Sequence, residues 1–201
     1  MAVADQPATK GREDARERVL SAAYRLFCQY GTRSVGIDRI IAESGVAKMT
    51  MYRHFRSKDD LILAVLERRG HEWTEGWVQR EVTSRATEPA ERLLTIFEIF
   101  DEWFHQLTFE GCTFVNVLLE ITDHDSPIHQ ASREHLRVIR QFLGDLAEAA
   151  GVRDPEMFAA QWHILLKGSI VTAAEGDLDA ARRARAIGEL LLERELARPG
   201  D

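Results

Sequence analysis

The segment KMTMYRHFRSK, residues 48–58, gathers the side chains best suited to gripping a polyanion. Lys48 can donate to guanine O6 or N7, and Met49 and Thr50 can touch a thymine methyl. Tyr52, His54 and Lys58 have the reach and the donors for phosphate oxygens, and Arg53 suits either target. Upstream, Gly36 precedes a helix start whose free amides offer a further phosphate seat. The bland alternative is a solvated face that happens to carry Lys, Arg and His.

These side chains need a scaffold, and the flanking sequence supplies one. Two short helices are expected at 37–44 and 48–54, separated only by Gly45-Val46-Ala47. A turn of three or four residues containing glycine lets two helices cross steeply, as in a helix-turn-helix. Ile37, Ile40 and Ile41 point inward from the first helix, Val46 plugs the turn, and Met51 and Phe55 anchor the second. With Leu20, Ala23, Leu26 and Phe27 they make a small three-helix core. In that arrangement 48–54 is the recognition helix, whose early residues meet base edges in the major groove.

Charge is divided to match. Residues 1–58 carry 11 Lys and Arg against 6 Asp and Glu, whereas residues 59–201 carry 15 against 27. A basic front on an acidic body directs the front, and not the body, towards a polyanion. The net charge of −7 over 201 residues conceals this division.

A second group of residues suits an apolar small molecule. The body holds all four tryptophans, and Phe100, Trp103, Phe104 and Trp162 are candidate pocket walls, with Asn116, Glu120 and His163 as the placed polar groups. Asn116 and Glu120 lie one helical turn apart among Val115, Val117, Leu118 and Leu119, where an unpaired amide or carboxylate would be costly if buried. Aromatics at helical spacing equally describe an ordinary core.

Other chemistries find no pattern. There is no H-E-x-x-H and no paired C-x-x-C, so neither a metal nor another cofactor is expected, and Asp123, His124, Asp125 and His129 flank a polar loop. No nucleophile elbow, phosphate loop or dinucleotide fingerprint appears, so no enzyme is expected. No apolar run reaches the ~18 residues a membrane helix needs. Two cysteines, Cys28 and Cys112, make no disulfide framework and fit a reducing, cytoplasmic setting.

Apolar spacing is helical throughout, which gives an all-α chain with helices near 12–30, 37–44, 48–54, 59–83, 89–107, 112–122, 127–150, 155–175 and 178–197. The expected division is a loose tail at 1–11, a helix-turn-helix domain at 12–58 and a larger helical domain at 59–201. Gly168, Ser169, Thr172 and Ala173 form a small-residue strip, and Gly188 interrupts the last helix. Both suit close helix approach, either within the chain or across a dimer.

The run GVAKMTMYRHFRSKDDLI resembles the signature of the TetR family of transcriptional regulators, and the likeness extends over residues 14–66. The resemblance implies a homodimer whose interface lies on helices 155–175 and 178–197. It also implies binding to a palindromic double-stranded operator, repression, and release by a small-molecule effector. Lys48, Met49, Thr50, Tyr52, Arg53 and His54 fall on the recognition helix of that family, and Lys58 on its phosphate-touching lysine. Gly36 stands where many members carry a capping Ser or Thr, so a backbone amide would replace a hydroxyl. Two rival readings remain: a small-molecule binding protein without specific DNA binding, and an enzyme on a helical scaffold.

Overall fold

The computed structural model describes the backbone of residues 7–197 and the side chains of residues 15–74 and 76–197. Among the described residues every regular element is helical. In chain order they are α1 (Pro7–Tyr30), α2 (Ile37–Ser44), α3 (Lys48–His54), α4 (Lys58–Arg69), a π-helical stretch (Gly70–Gln79), α5 (Arg80–Arg85), α6 (Pro89–Phe104), α7 (Thr113–Glu120), α8 (Pro127–Ala149), α9 (Pro155–Ala174) and α10 (Ala180–Leu196). The expected tail lies outside the described residues up to position 6. From Pro7 onward the chain is already helical, so α1 starts ahead of the expected residue 12.

Proline and aspartate set several starts. Pro89 and Pro155 occupy first-turn positions where a missing N–H is harmless, and the Asp154 side chain accepts the Met157 amide at 3.1 Å. The expected helix over 59–83 runs on without a break but widens into π-turns between Gly70 and Gln79. A Cβ on Gly70 would come within 2.6 Å of the His135 ring, so only glycine admits that ring against the backbone.

Two compact units emerge. One comprises the chain up to Arg68 together with Val115–Ser132, and the other comprises Arg69–Phe114 with the chain from Arg133. The expected boundary at residue 58 falls inside the first unit. The reason is visible in α4, whose Leu61, Ile62, Val65 and Leu66 are buried, and whose Arg68 donates to Glu17 of α1 at 2.6 Å. Arg68 also donates to Ser21 Oγ at 3.0 Å; the Ser21 hydroxyl, donating to Glu17 Oε1 at 2.7 Å, and then Arg68 hold the Glu17 carboxyl below its ordinary range.

The second unit is built on α6, α9 and α10, which pack against one another, with α5 on α6. Its core joins Leu93, Ile96, Phe97 and Ile99 to Phe158, Trp162, Leu166 and Ala181. Arg182 and Asp101 pair at 3.0 Å between α10 and α6.

Candidate nucleic-acid interface

The small core of the first unit forms as its sequence dictates. Ile40 and Met51 are fully buried and Val46 and Phe55 nearly so, alongside Leu20, Ala23, Leu26 and Phe27. Ile37 and Ile41 are half-buried flank residues. Gly45 closes α2 with φ of 61°, a left-handed conformation, and its amide donates to Ile41 O at 3.1 Å. Ala47 O then accepts from Thr50 and Met51, which starts α3 directly. Two helices joined by so short a turn are the geometry expected of residues 37–54.

With Met51 and Phe55 holding α3 inward, its other side chains face out. Lys48, Met49, Tyr52 and Arg53 are exposed, Met49 at 77%, and Thr50 is half-buried. Lys48 Nζ stands 3.3 Å from Asp38 Oδ1, but both side chains are mostly in water, so the pair binds weakly and leaves the ammonium available. Gly36 is exposed and gives α2 no side-chain cap, which leaves the first-turn amides unclaimed by side chains. Ser57 caps α4 by accepting the Asp60 amide at 3.0 Å, and Lys58 is half-buried at that helix start.

His54 departs from the expectation of a free imidazole. Its Nε2 is sealed from solvent and makes no hydrogen bond among the described residues, so only the other ring nitrogen is placed for an outside acceptor. Conversely, Arg39 escaped the sequence reading. Its guanidinium lies 4.1 Å from the centroid of the exposed Tyr30 ring, joining α2 to α1 at the edge of the same basic front. The available signal was a lone arginine in the first helix of the turn motif.

The pocket candidates do not form one constellation. Phe100, Trp103 and Phe104 are buried together, in a network with Trp73, Trp77 and Phe109 at centroid spacings of 4.8–5.8 Å. Trp162 belongs to a separate stack with Phe97 and Phe158, at 5.2 and 5.0 Å. His163 is buried beside Lys167 and Arg140; burial, then those two cations, pushes its pKa down to about 4, so the ring is neutral near pH 7. Asn116 and Glu120 fall in the first unit. Asn116 is exposed, and the Glu120 carboxylate is taken by the Thr32 amide at 2.8 Å, the Arg33 amide at 3.2 Å and the Thr32 hydroxyl. A carboxylate so occupied is a structural acceptor and no longer a free ligand reader.

The second unit also carries an open groove of about 380 Å³ between α8 and α9. Arg137, Arg140, Asp145, Glu148 and Glu156 are among its walls. No three His, Cys, Asp or Glu residues come together as a metal site among the described residues. No described helix is long and apolar enough to cross a membrane.

A glycine-turned helix pair with a buried inner edge and a basic, solvent-facing second helix defines a helix-turn-helix protein. Residues 19–65 match the family model for bacterial regulatory proteins of the tetR family. The chain superposes on a TetR-family transcriptional regulator, SCO4454 from Streptomyces coelicolor, with a TM-score of 0.83 and 28% identity over 92% of this chain and 97% of that one. It superposes likewise on a putative regulator from Streptomyces avermitilis, with a TM-score of 0.80 and 27% identity over 92% and 99%. The chain is thus similar to tetR-family regulators along most of its length and matches the family's own model over residues 19–65. Among curated relatives, the HTH-type transcriptional activator FasR of Mycolicibacterium smegmatis is 33% identical over 106 residues, 50% of this chain and 48% of that protein. An HTH-type transcriptional regulator of Staphylococcus aureus is 36% identical over 59 residues, 29% and 32% of the two chains. The matched region thus spans about half of the first relative and about a third of the second.

Proposed function

We propose that this chain is a cytoplasmic, homodimeric transcriptional regulator that reads a palindromic double-stranded operator with α3 and, as a repressor, is released by a small-molecule effector. The observation that carries the reading is the two-sidedness of α3. Met51 and Phe55 bury one edge, while Lys48, Met49, Tyr52 and Arg53 stand in solvent on the other. In this assignment Lys48, Met49, Thr50 and Arg53 meet bases, and Gly36, Tyr52, His54 and Lys58 meet phosphates.

Dimerisation through α9 and α10 is supported by the apolar residues those helices leave in water. Met157, Ile164 and Val171 recur at intervals of seven on α9, and Ile187 and Leu190 are exposed on α10. Such a patch in a family of dimers is best covered by a second copy, since a twofold axis buries the same stripe of both subunits at once. Gly168 is exposed with open space where a Cβ would stand, which suits close approach across that axis. Effector binding by the network of Phe100, Trp103 and Phe104 is supported by its aromatic character, while the Glu120 carboxylate is already taken by Thr32 and Arg33.

The test is selection of duplexes from a randomised pool. The expected outcome is enrichment of a palindrome with half-sites about one DNA turn, ~34–36 Å, apart, bound with steep salt dependence. Enrichment of no sequence, or binding indifferent to salt, would overturn the proposal.

A further inference from the structure

The carboxylate of Glu120 occupies a built seat at the corner between α1 and α2. Gly31 ends α1 with φ of 76°, and a Cβ added there would collide with Glu120 Oε1. The seat therefore exists only because residue 31 is glycine. Glu120 Oε2 accepts the backbone amides of Thr32 and Arg33 and the Thr32 hydroxyl. Thr32 is only 2% exposed, so water competes poorly for its donors. Hydrogen bonds to an ionised acceptor are about twice as strong as neutral ones.

Glu120 is also fixed from its own side. It is the last residue of α7, and the next residue, Ile121, has its carbonyl held at 2.8 Å by Nδ1 of the buried His129 in α8. A carbonyl only accepts, so this nitrogen carries the proton. The end of α7 is thus tied to the start of α8 and, through Glu120, to the corner four residues before α2. None of these partners, Thr32, Arg33, Ile121 or His129, belongs to α3.

We propose that Glu120 is a positioning residue for DNA reading: it clamps the Gly31–Arg33 corner to the end of α7 and so fixes the direction in which α2, and the α3 turned from it, leave α1. This rests on the assignment of α3 as the reading helix. Residues 31–36 form no helix, and the Gly31 amide also donates to Phe27 O at 2.9 Å. Losing three charge-assisted bonds frees the corner while leaving the buried Ile40, Val46 and Met51 in place.

The experiment uses full-length protein and the duplex that the wild type enriches from a randomised pool. In Glu120→Ala the dissociation constant for that duplex is expected to rise about tenfold or more, with the dimer intact. Amide hydrogen exchange in the free protein should quicken at Thr32 and Arg33, and not across the helices of the first unit. Glu120→Gln keeps an acceptor oxygen and should restore binding to within about threefold of wild type. Gly31→Ala, which expels the carboxylate while sparing Glu120 itself, should behave as Glu120→Ala does. Wild-type affinity in Glu120→Ala, or exchange that quickens equally throughout the unit, overturns the clamp. If the wild type enriches no duplex, the DNA-reading assignment fails instead; slow wild-type exchange at Thr32 and Arg33 that Glu120→Ala abolishes would then mark Glu120 as a purely structural cap, which also overturns its role in reading.

Discussion

Gly188 of α10 lies against the indole of Trp162 in α9, so close that a Cβ there would stand 2.9 Å from Cη2 and 3.1 Å from Phe97 Cε2. The glycine that interrupts the last helix therefore serves packing within the chain. Gly188→Ala gains up to ~1 kcal/mol of helix propensity but overpacks a core of rigid rings, which typically costs about 1–3 kcal/mol. Thermal denaturation should show a lower Tm, and Trp162→Phe in the same chain should recover part of the loss. A variant melting at or above wild type would contradict the packing argument.

Stability should fall as the pH drops from about 6.5 towards 4, and His163 supplies part of the reason. Its folded pKa lies below the ordinary 6.5, at about 4, because burial and the cations of Lys167 and Arg140 oppose a positive ring. Across that window the unfolded chain takes up a proton that the folded one refuses, so the unfolded state gains by up to ~3 kcal/mol. Above 6.5 the effect vanishes. Urea denaturation of His163→Leu across this range should give a flatter profile than wild type; an equal slope would remove His163 from the account.

Lys48→Ala should weaken operator binding by about 1–3 kcal/mol and relax sequence choice at one position, because its ammonium is exposed at the start of α3. Lys58→Ala should weaken all duplexes alike and lower the salt slope by about 1. Titrations by fluorescence anisotropy at several salt concentrations distinguish the two. Equal affinity and selectivity in both variants would dismiss this face.

Charge placed on the exposed stripe of α9 and α10 should split the dimer without unfolding it. Ile164→Asp and Leu190→Asp alter side chains that are 64% and 68% exposed in the single chain. Sedimentation should report monomers with native helix content and lost operator affinity, since a palindrome is read by two copies. Dimers that persist in both variants would move the interface elsewhere.

The turn motif was legible because its determinants are local. Gly45 adopts its left-handed turn, Val46 and Met51 fill the space beneath, and the donors of α3 are left outside by elimination. The all-helical pattern and the starts at Pro89, Pro127 and Pro155 were legible for the same reason. The π-turns over Gly70–Gln79 were not, since apolar spacing there is compatible with either helix and the ring lying against Gly70 is that of His135, far along the chain. Glu120 shows the limit most directly. Its apolar neighbours suggested a ligand reader, yet its partners, Thr32 and Arg33, lie some 88 positions away along the chain.

Residue type and spacing thus determined the helices, the steep turn and the donor-rich face of α3, because hydrogen bonds within a turn and apolar periodicity act over a few residues. Tertiary structure alone decided that α4 packs with α1, that His54 Nε2 turns inward, that Gly188 meets Trp162, and that Glu120 serves the α1–α2 corner. Those outcomes depend on which surfaces meet after the chain has folded back, and burial is a property of the meeting surfaces and not of either segment alone.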